Sequence, residues 1–351
     1  MYKRLEDTRA DLDGLYSKGL QRGYSVGWDW ELLPYTIKMG TTSYIAAPPH
    51  QGKTEFWFEI LINLSCLHKL KHIIFSPETG NASEIYAELC SKFIGKPYYG
   101  KYQMSGSDKV YAEMFINEHF VIIDPSDEDL TIEQYYKLVD QIESEQGITF
   151  HTTTIDPWNE LKEVLLPEDM GREDKYLSRI LGYSRKNART KNRHNCIINH
   201  VRDQQTITEN GISYNPIPTA RDFAGGQVWF RKGMLMSILW RPPYGLTNLE
   251  GRPYKETETI IKIAKSKPKG VSKNGMYSLH FDIQNIKYYI ETAGGTRIYA
   301  DRGEYNNKTK AKEPEQITIE SAIKPNLAFD KPVEIDNNNK DDWFQTSESE
   351  F

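Results

Sequence analysis

The stretch that decides the fold is TSYIAAPPHQGKT, residues 42–54. Its first six residues predict a buried strand, and the apolar pattern of residues 53–70 predicts a long helix. Between them lies a loop with the Gly-Lys-Thr triplet, in the strand-loop-helix context of a phosphate-binding loop. Ala47 replaces the usual first glycine and two prolines remove amide donors, so a chance triplet is the alternative. The flanking strand and helix favour a nucleotide-binding loop.

The positions within this loop assign its chemistry. Backbone N–H groups at a helix N-terminus offer hydrogen-bond donors and a positive dipole to phosphate. The Lys53 ammonium would reach the β- and γ-phosphates, and the Thr54 hydroxyl would bind Mg²⁺. The predicted nucleotide-binding residues are Pro49, His50, Gln51, Gly52, Lys53 and Thr54, joined by Glu78, Asp156 and by Arg241, which directly follows a later strand.

Two other predicted strands lead to an acid. TTTID ends at Asp156, and HIIFSPE ends at Glu78. Because the carboxyl ends of parallel strands meet at one edge of a sheet, both carboxylates are expected beside Lys53. Asp156 would then hold the metal together with Thr54, and Glu78 would polarise the water that attacks the γ-phosphate. Alone, each acid is an ordinary strand-end residue, so both assignments depend on the loop.

Strand and helix patterns alternate over residues 24–300. This alternation predicts an α/β fold with a mostly parallel sheet flanked by helices and antiparallel strands at one edge. Residues 1–23 predict an N-terminal helix, and residues 301–351 predict a flexible acidic tail. The predicted strands are TSYIAA (42–47), HIIFS (72–76), FVIID (120–124), TTTID (152–156), CIINH (196–200), MSILW (236–240), TIIKIAK (259–265) and SLHFD (278–282).

Composition argues against several classes of protein. The 351 residues are 38% apolar and 26% charged, with three dispersed cysteines. No apolar run is long enough to span a membrane, and no cysteine pair suggests a zinc ribbon or a disulfide framework. The charged N-terminus lacks a secretion signal, so a cytoplasmic protein is expected. The formal net charge is −5, and much of it lies in residues 331–351. Residues 179–193, in contrast, are basic and contain no acid, so they form either a solvated helix face or a surface that binds a partner.

The order of these motifs resembles that of the RecA-like ATPases, and more closely the helicase domain of the DnaB/Twinkle ring helicases, including the phage-type enzymes. The likeness covers about residues 24–290 and rests on five segments: APPHQGKT, FSPETG, TIDPWNEL, CIINHVRDQQ and PTARDFAGGQVWFRKG. It implies a RecA-like core without a primase domain. It also implies an ATP-hydrolysing, Mg²⁺-dependent hexameric ring that translocates 5′-to-3′ on single-stranded DNA and unwinds forked DNA.

The same resemblance implies roles for residues beyond the loop. His200 ends the CIINH strand where the family has a sensor of the γ-phosphate. Lys265 and Lys267 match residues that act on the nucleotide of the neighbouring subunit, although Lys267 stands where the family has an arginine. A lysine lacks the planar guanidinium fork, which puts that role in doubt. The residues expected to face DNA phosphates are Arg221, Gly225, Gly226 and Lys232.

Other functions remain open. A RecA-like ATPase that binds single-stranded DNA as a recombinase or loader, without unwinding, would use the same phosphate chemistry, and an interaction protein with a degraded ATPase is a third possibility. The N-terminal helix either caps its own domain or docks on the next subunit. The tail either solubilises the chain or docks on a replication partner, such as a polymerase, primase or single-strand-binding protein, through Trp343, Phe344 or Phe351.

Overall fold

A mixed β-sheet between two layers of helices forms the centre of the molecule. The structure, a computed structural model, describes residues 2–124, 130–209, 211–248 and 250–306. The strands are β1 (Tyr24–Ser25), β2 (Thr36–Ile37), β3 (Thr42–Ala47), β4 (His72–Phe75), β5 (Phe120–Ile123), β6 (Thr152–Ile155), β7 (His194–His200), β8 (Ile207–Glu209), β9 (Ile212–Tyr214), β10 (Leu235–Trp240), β11 (Glu258–Ser266), β12 (Gly275–Asp282), β13 (Lys287–Glu291) and β14 (Arg297–Tyr299). The α-helices are α1 (Arg9–Lys18), α2 (Lys53–His68), α3 (Ala82–Ile94), α4 (Gly106–His119), α5 (Ile132–Gln146), α6 (Glu173–Lys191) and α7 (Val228–Lys232).

Within these residues, ten strands form one sheet in the order β14-β13-β12-β11-β10-β3-β7-β6-β4-β5. Strands β10, β3, β7, β6, β4 and β5 are parallel, and β11 to β14 extend the β10 side antiparallel. The predicted α/β class is therefore confirmed, including its antiparallel edge. The small hairpin β8-β9 lies outside this sheet and was not predicted.

The two faces of the sheet are covered by different helices. One apolar cluster joins α2, α3 and α4 to the sheet, with Trp57 and Phe93 among its fully buried side chains. The other joins α5, α6 and α7, with Tyr135 and Trp229 at its centre. Strand β3 is buried along its whole length because helices cover both of its faces. A central strand of this kind reads as a continuous apolar run, which is why TSYIAA could be recognised from sequence.

The register brings the predicted motifs to one edge. Ala47, the last residue of β3, pairs with His200 at the end of β7. Phe75 of β4 pairs with Ile155 of β6, directly before Asp156. The nucleotide-binding loop and the two acid-bearing segments therefore leave neighbouring parallel strands at the same carboxyl edge, as their order in the sequence predicts.

The N-terminal helix does not pack into this core. Helix α1 follows a short 3-10 helix, Glu6–Thr8, and contains no buried residue. Its apolar side chains are exposed, with Leu15 at 46% and Tyr16 at 96%. Leu12, Leu15 and Tyr16 therefore form an exposed apolar stripe on α1.

The folded chain continues past residue 300, where the flexible tail was predicted to begin. The Arg302 side chain is 2% exposed, and Gly303–Tyr305 form a 3-10 helix against α2. The predicted docking residues Trp343, Phe344 and Phe351 lie outside the described residues. Among the helices that are described, none is both long and apolar enough to cross a bilayer.

Candidate nucleotide site

The loop between β3 and α2 has the backbone shape of a phosphate cradle. His50 has φ +59° and Gly52 has φ +81°, so two residues adopt the left-handed conformation. A Cβ on Gly52 would lie 2.9 Å from the Tyr288 hydroxyl and 3.1 Å from Arg241 Nη2, which leaves room only for glycine. No side chain caps the first turn of α2. Its N–H groups thus remain available to an anion.

Arg241 holds the other wall of this loop. The backbone N–H of Arg241, directly after β10, donates to the side-chain oxygen of Gln51. The Arg241 guanidinium lies against Gly52, since its Nη2 is 3.1 Å from the position that a Cβ on Gly52 would occupy. The strand next to β3 therefore contributes a cation to the loop, and the role of Arg241 as a nucleotide contact stays a prediction.

Thr54 and Asp156 meet below the loop. Thr54 Oγ1 donates a 2.6 Å hydrogen bond to Asp156 Oδ2, which Ser76 Oγ also approaches at 3.4 Å. Asp156 is 1% exposed, and burial raises the pKa of its carboxyl to about 6 despite the Thr54 hydrogen bond. Its second oxygen, Oδ1, makes no hydrogen bond to any described residue. A buried carboxylate oxygen without a partner is costly, so this atom needs a ligand.

These residues fit a magnesium ion. The described residues hold no group of three or more His, Cys, Asp and Glu that could enclose a metal. Mg²⁺ needs no such cage, because it binds through one or two protein oxygens, water and substrate phosphates. Thr54 Oγ1 and the unpartnered Asp156 Oδ1 are oxygens of the required kind, placed at the loop that would hold the phosphates.

Lys53, His200 and Glu78 form a chain of contacts beside this pair. Lys53 Nζ lies 3.0 Å from His200 Nδ1, and His200 Nε2 lies 3.3 Å from Glu78 Oε2. An ammonium can only donate, so Nδ1 accepts and Nε2–H points at Glu78. Burial, followed by the Lys53 charge, lowers the pKa of His200, which keeps the ring neutral at pH 7. His200 therefore orients Glu78 and connects it to the phosphate-binding lysine.

Lys53 is a buried ammonium whose charge is only partly compensated by the neighbouring carboxylates. The side chain is buried, and burial lowers the pKa of its ammonium while Asp156 and Glu78 oppose that change. Glu78 itself is half exposed, at 53% of its side chain. The carboxylate thus faces open space at the end of β4, where water can reach it.

The segment after β7 joins the site directly. Val201 forms a bridge with Phe223, and the Ala224 N–H donates to His200 O at 2.9 Å. A Cβ on Gly225 would lie 2.6 Å from Leu177 Cδ1, so glycine is required there for contact with α6. A cleft of about 300 Å³ is lined by Ala224 and Gly225 of this segment together with His200, Trp158 and Glu163. Movement of Gly225 and Gly226 would therefore shift Ala224, whose N–H donates to the His200 carbonyl oxygen.

The structure does not bring all predicted site residues together. Arg221 is exposed near Gly225, whereas Lys232 lies at the other end of α7, against Gly182 of α6. Lys265 and Lys267 lie toward the opposite end of the sheet, because β11 runs antiparallel and Ser266 pairs with Leu235, beside the start of β3. Neither lysine can contact the nucleotide loop of its own chain.

Two residues near the site were not predicted. Ser76 contacts both Asp156 and Thr79, and its position inside the FSPETG segment was the available signal. Tyr288, on β13, lies against Gly52 but is far away in sequence. Only the folded sheet reveals that second contact.

The order of the strands in the sheet and the shape of the loop define a RecA-like α/β fold. Among solved structures, the chain is similar to "ATPase Domain of G40P", with a TM-score of 0.61 and 16% identity over 86% of this chain and 100% of that one. It is also similar to a DnaB-like replicative helicase described with its interactions with primase, with a TM-score of 0.60 and 17% identity over 82% of this chain and 67% of that one. No protein-family model and no curated protein matches the sequence. The RecA-like fold expected from the motifs, in the form seen in DnaB-like ATPase domains, is thus confirmed.

Proposed function

We propose that this chain is the ATP-hydrolysing motor of a DnaB-like ring helicase, which moves along single-stranded DNA and separates the duplex. The observation that carries the proposal is the contact chain from Lys53 through His200 to Glu78, placed beside the Thr54–Asp156 pair. It supplies a phosphate-binding cation, an oriented carboxylate and metal ligands at one sheet edge. The similarity to DnaB-like ATPase domains supports the helicase class.

The proposed reaction follows from these positions. The N–H groups of the loop and the Lys53 ammonium bind the β- and γ-phosphates, and a bound Mg²⁺ would neutralise charge that develops on their oxygens. Glu78, held by His200, accepts a proton from the attacking water. The water oxygen forms a bond to the γ-phosphorus. The bond between the γ-phosphorus and the β,γ-bridging oxygen breaks at the same time, which leaves ADP and phosphate. When phosphate leaves, Lys53 loses the anion that it contacted, and this change would pass through His200 to Ala224, whose N–H donates to the His200 carbonyl.

Strand separation tests the proposal. On a forked duplex, the wild-type protein should separate the strands with ATP and Mg²⁺, and not with a non-hydrolysable analogue, because movement requires hydrolysis. Glu78→Gln should bind ATP but fail to unwind. Forks with a single 5′ or 3′ arm report direction, and we expect the 5′ arm to support loading. DNA-stimulated hydrolysis without unwinding would instead indicate the recombinase or loader function.

We further propose that Arg221, Gly225 and Gly226 contact the DNA strand. Arg221 is exposed and near the segment bonded to His200, so a phosphate there could influence the site. Arg221→Ala should weaken binding to single-stranded DNA for every sequence and reduce the salt slope by about 1. Fluorescence anisotropy at several salt concentrations measures both. Lys137→Ala, an exposed change on α5, is the control, and equal binding by the two variants would refute the assignment.

A ring requires contacts between copies, and we propose that α1 provides them. Deleting residues 1–20 keeps the stacking of Arg22 on Trp30, 4.0 Å apart. Because α1 buries nothing in its own chain, the shortened protein should remain folded and unfold in one cooperative transition. Its mass in solution should fall to that of one chain, together with a loss of DNA-stimulated hydrolysis.

Point variants separate the role of the apolar stripe from the loss of the whole helix. Leu12→Asp with Leu15→Asp should dissociate the assembly as the deletion does. Ala10→Asp, an exposed position on the opposite face of the same helix, should leave it assembled. An oligomer that survives the deletion would show that α1 is not the subunit contact.

A further inference from the structure

The hydroxyl of Tyr288 is buried behind the nucleotide loop without a hydrogen bond. Tyr288 lies on β13 and is fully buried, and its hydroxyl oxygen has no hydrogen-bond partner among the described residues. The ring packs among aromatic side chains, with its centroid 5.1 Å from that of Phe281 and 6.2 Å from that of Phe56. Phenylalanine would fill this space equally well. Because an unpartnered buried polar group lowers stability, the hydroxyl indicates a partner that reaches it in another state of the site.

Arg241 is the residue that can supply this hydrogen bond. The Tyr288 hydroxyl and Arg241 Nη2 lie 2.9 and 3.1 Å from the position that a Cβ on Gly52 would occupy. The two atoms are therefore at most 6.0 Å apart, the sum of those distances. A guanidinium has only donors and a neutral hydroxyl can accept, so a change in the Arg241 rotamer would join them.

The hydroxyl is a neutral acceptor at pH 7. Burial raises the pKa of the Tyr288 hydroxyl well above its ordinary value, the Glu55 charge raises it further, and the Arg241 charge opposes both. The Glu55 carboxylate is itself engaged, because its Oε2 lies 2.6 Å from the Nζ of the fully buried Lys92. A carboxylate partner would offset the charge of Arg241, whereas a hydroxyl fixes the guanidinium and leaves its full charge for a phosphate.

The backbone of Arg241 is already attached to the loop. Its N–H donates to the side-chain oxygen of Gln51, so the guanidinium, at the end of a flexible side chain, is the part that still has to be oriented. An anion on the loop attracts the guanidinium toward Gly52, beside which the Tyr288 hydroxyl also lies. A fixed guanidinium binds an anion more tightly than a mobile one, because less conformational freedom is lost on binding.

We propose that Tyr288 is a positioning residue, whose hydroxyl accepts a hydrogen bond from the Arg241 guanidinium when a nucleotide is bound. This bond holds the guanidinium at Gly52, with its charge available to the phosphates. The inference rests on the proposed ATPase function, and it accounts for the unpartnered hydroxyl. It also gives β13, in the antiparallel part of the sheet, a role in nucleotide binding.

Tyr288→Phe tests the proposal, because it removes one oxygen and keeps the ring. The affinity for ADP with Mg²⁺, measured by calorimetry, should fall by about 3- to 30-fold, the range expected when a residue acts on a ligand through another. The midpoint of urea unfolding should not fall, since the lost hydroxyl makes no hydrogen bond. Tyr299→Phe is the control and should bind ADP as the wild type does, because its hydroxyl donates to Asp282 at the far edge of the sheet.

A double-mutant cycle shows whether Tyr288 acts through Arg241. Arg241→Ala should weaken ADP binding by more than Tyr288→Phe does, because it removes the charge itself. Adding Tyr288→Phe to Arg241→Ala should cause no further loss, since the hydroxyl then has nothing to position. The same loss in both backgrounds would show that Tyr288 acts independently of Arg241, and would overturn the proposal.

The remaining outcomes separate this inference from the proposed function. If the wild type and Tyr288→Phe bind ADP equally well, the inference is wrong and the proposed function stands. A lower urea midpoint with unchanged affinity would likewise refute it, because the hydroxyl would then serve the fold alone. If the wild type binds neither ADP nor ATP with Mg²⁺, the proposed function fails, and this inference fails with it.

Discussion

Lys53→Ala should reduce ATP hydrolysis by about 10²–10³-fold or more, because it removes a fixed positive charge from the transferred phosphate. Lys53 is buried, its ammonium lies 3.0 Å from His200 Nδ1, and the charges of Asp156 and Glu78 act on its pKa. The loss should appear with and without DNA, since the lysine acts on phosphate. The rate of hydrolysis is measured as the release of phosphate, and nucleotide binding is measured by calorimetry.

A second effect distinguishes this role from a structural one. The Lys53 ammonium is desolvated at the carboxyl edge of the sheet, and burial lowers its pKa. Removing it should leave the thermal stability near the wild-type value, because burial lowers the pKa of the ammonium despite Asp156 and Glu78, so the charged lysine adds no net stability to the fold. Lys96→Ala breaks only an exposed ion pair with Asp108 and should hydrolyse normally. Hydrolysis by Lys53→Ala within a few-fold of wild type would sink the assignment of the loop.

Arg302→Ala should lower the free energy of unfolding by about 3 kcal/mol, because breaking a buried ion pair leaves an uncompensated charge. Arg302 Nη2 lies 2.7 Å from Glu59 Oε1, and both side chains are almost fully buried. The guanidinium also donates to Asn63 Oδ1 and to the carbonyl oxygens of Lys92 and Phe93. It therefore joins the end of the described chain to α2 and to the end of α3.

Urea unfolding measures this effect. Lys92 Nζ lies 3.7 Å from Glu59 Oε2, so Glu59 keeps a cationic partner in Arg302→Ala. The loss in free energy of unfolding should therefore be smaller than the largest losses seen when buried ion pairs are broken. Arg297→Ala is the control, because Arg297 is 46% exposed and its Nη1 lies 3.4 Å from Asp282 Oδ2. It should lower the free energy of unfolding by at most about 1 kcal/mol.

A paired variant separates the lost charge from the lost packing. In Arg302→Met with Glu59→Gln, no uncompensated charge remains, so part of the stability should return relative to Arg302→Ala. Equal stabilities for Arg302→Ala and wild type would mean that this contact does not hold α2. The result matters for the site, since α2 begins at Lys53.

How far the sequence could go is clearest at the carboxyl edge of the sheet. The strands before the loop, before Glu78 and before Asp156 are continuous runs of β-forming residues, and their order along the chain predicts that all three ends meet. What the sequence could not give is which atoms touch. The Lys53–His200–Glu78 chain joins residues up to 147 positions apart, and only packed side chains select those contacts.

The limits lie where contacts are distant in sequence or depend on direction. Tyr288 lies against Gly52, and Arg302 reaches α2, although neither carries a motif. Lys265 and Lys267 were tied to a neighbour by resemblance, but the antiparallel direction of β11 is what places them away from their own loop.

The sequence by itself determined the class of fold and predicted the chemistry of the loop, because both depend on local patterns: strand, glycine, lysine, helix. The tertiary structure alone decided the partners of each charged group, since pairing depends on sheet order, strand direction and burial. It left Asp156 Oδ1 without a hydrogen bond, bonded His200 to Lys53, buried Arg302 and exposed α1. A charge in the sequence therefore acquires its role only when the fold fixes what lies within a few ångströms of it.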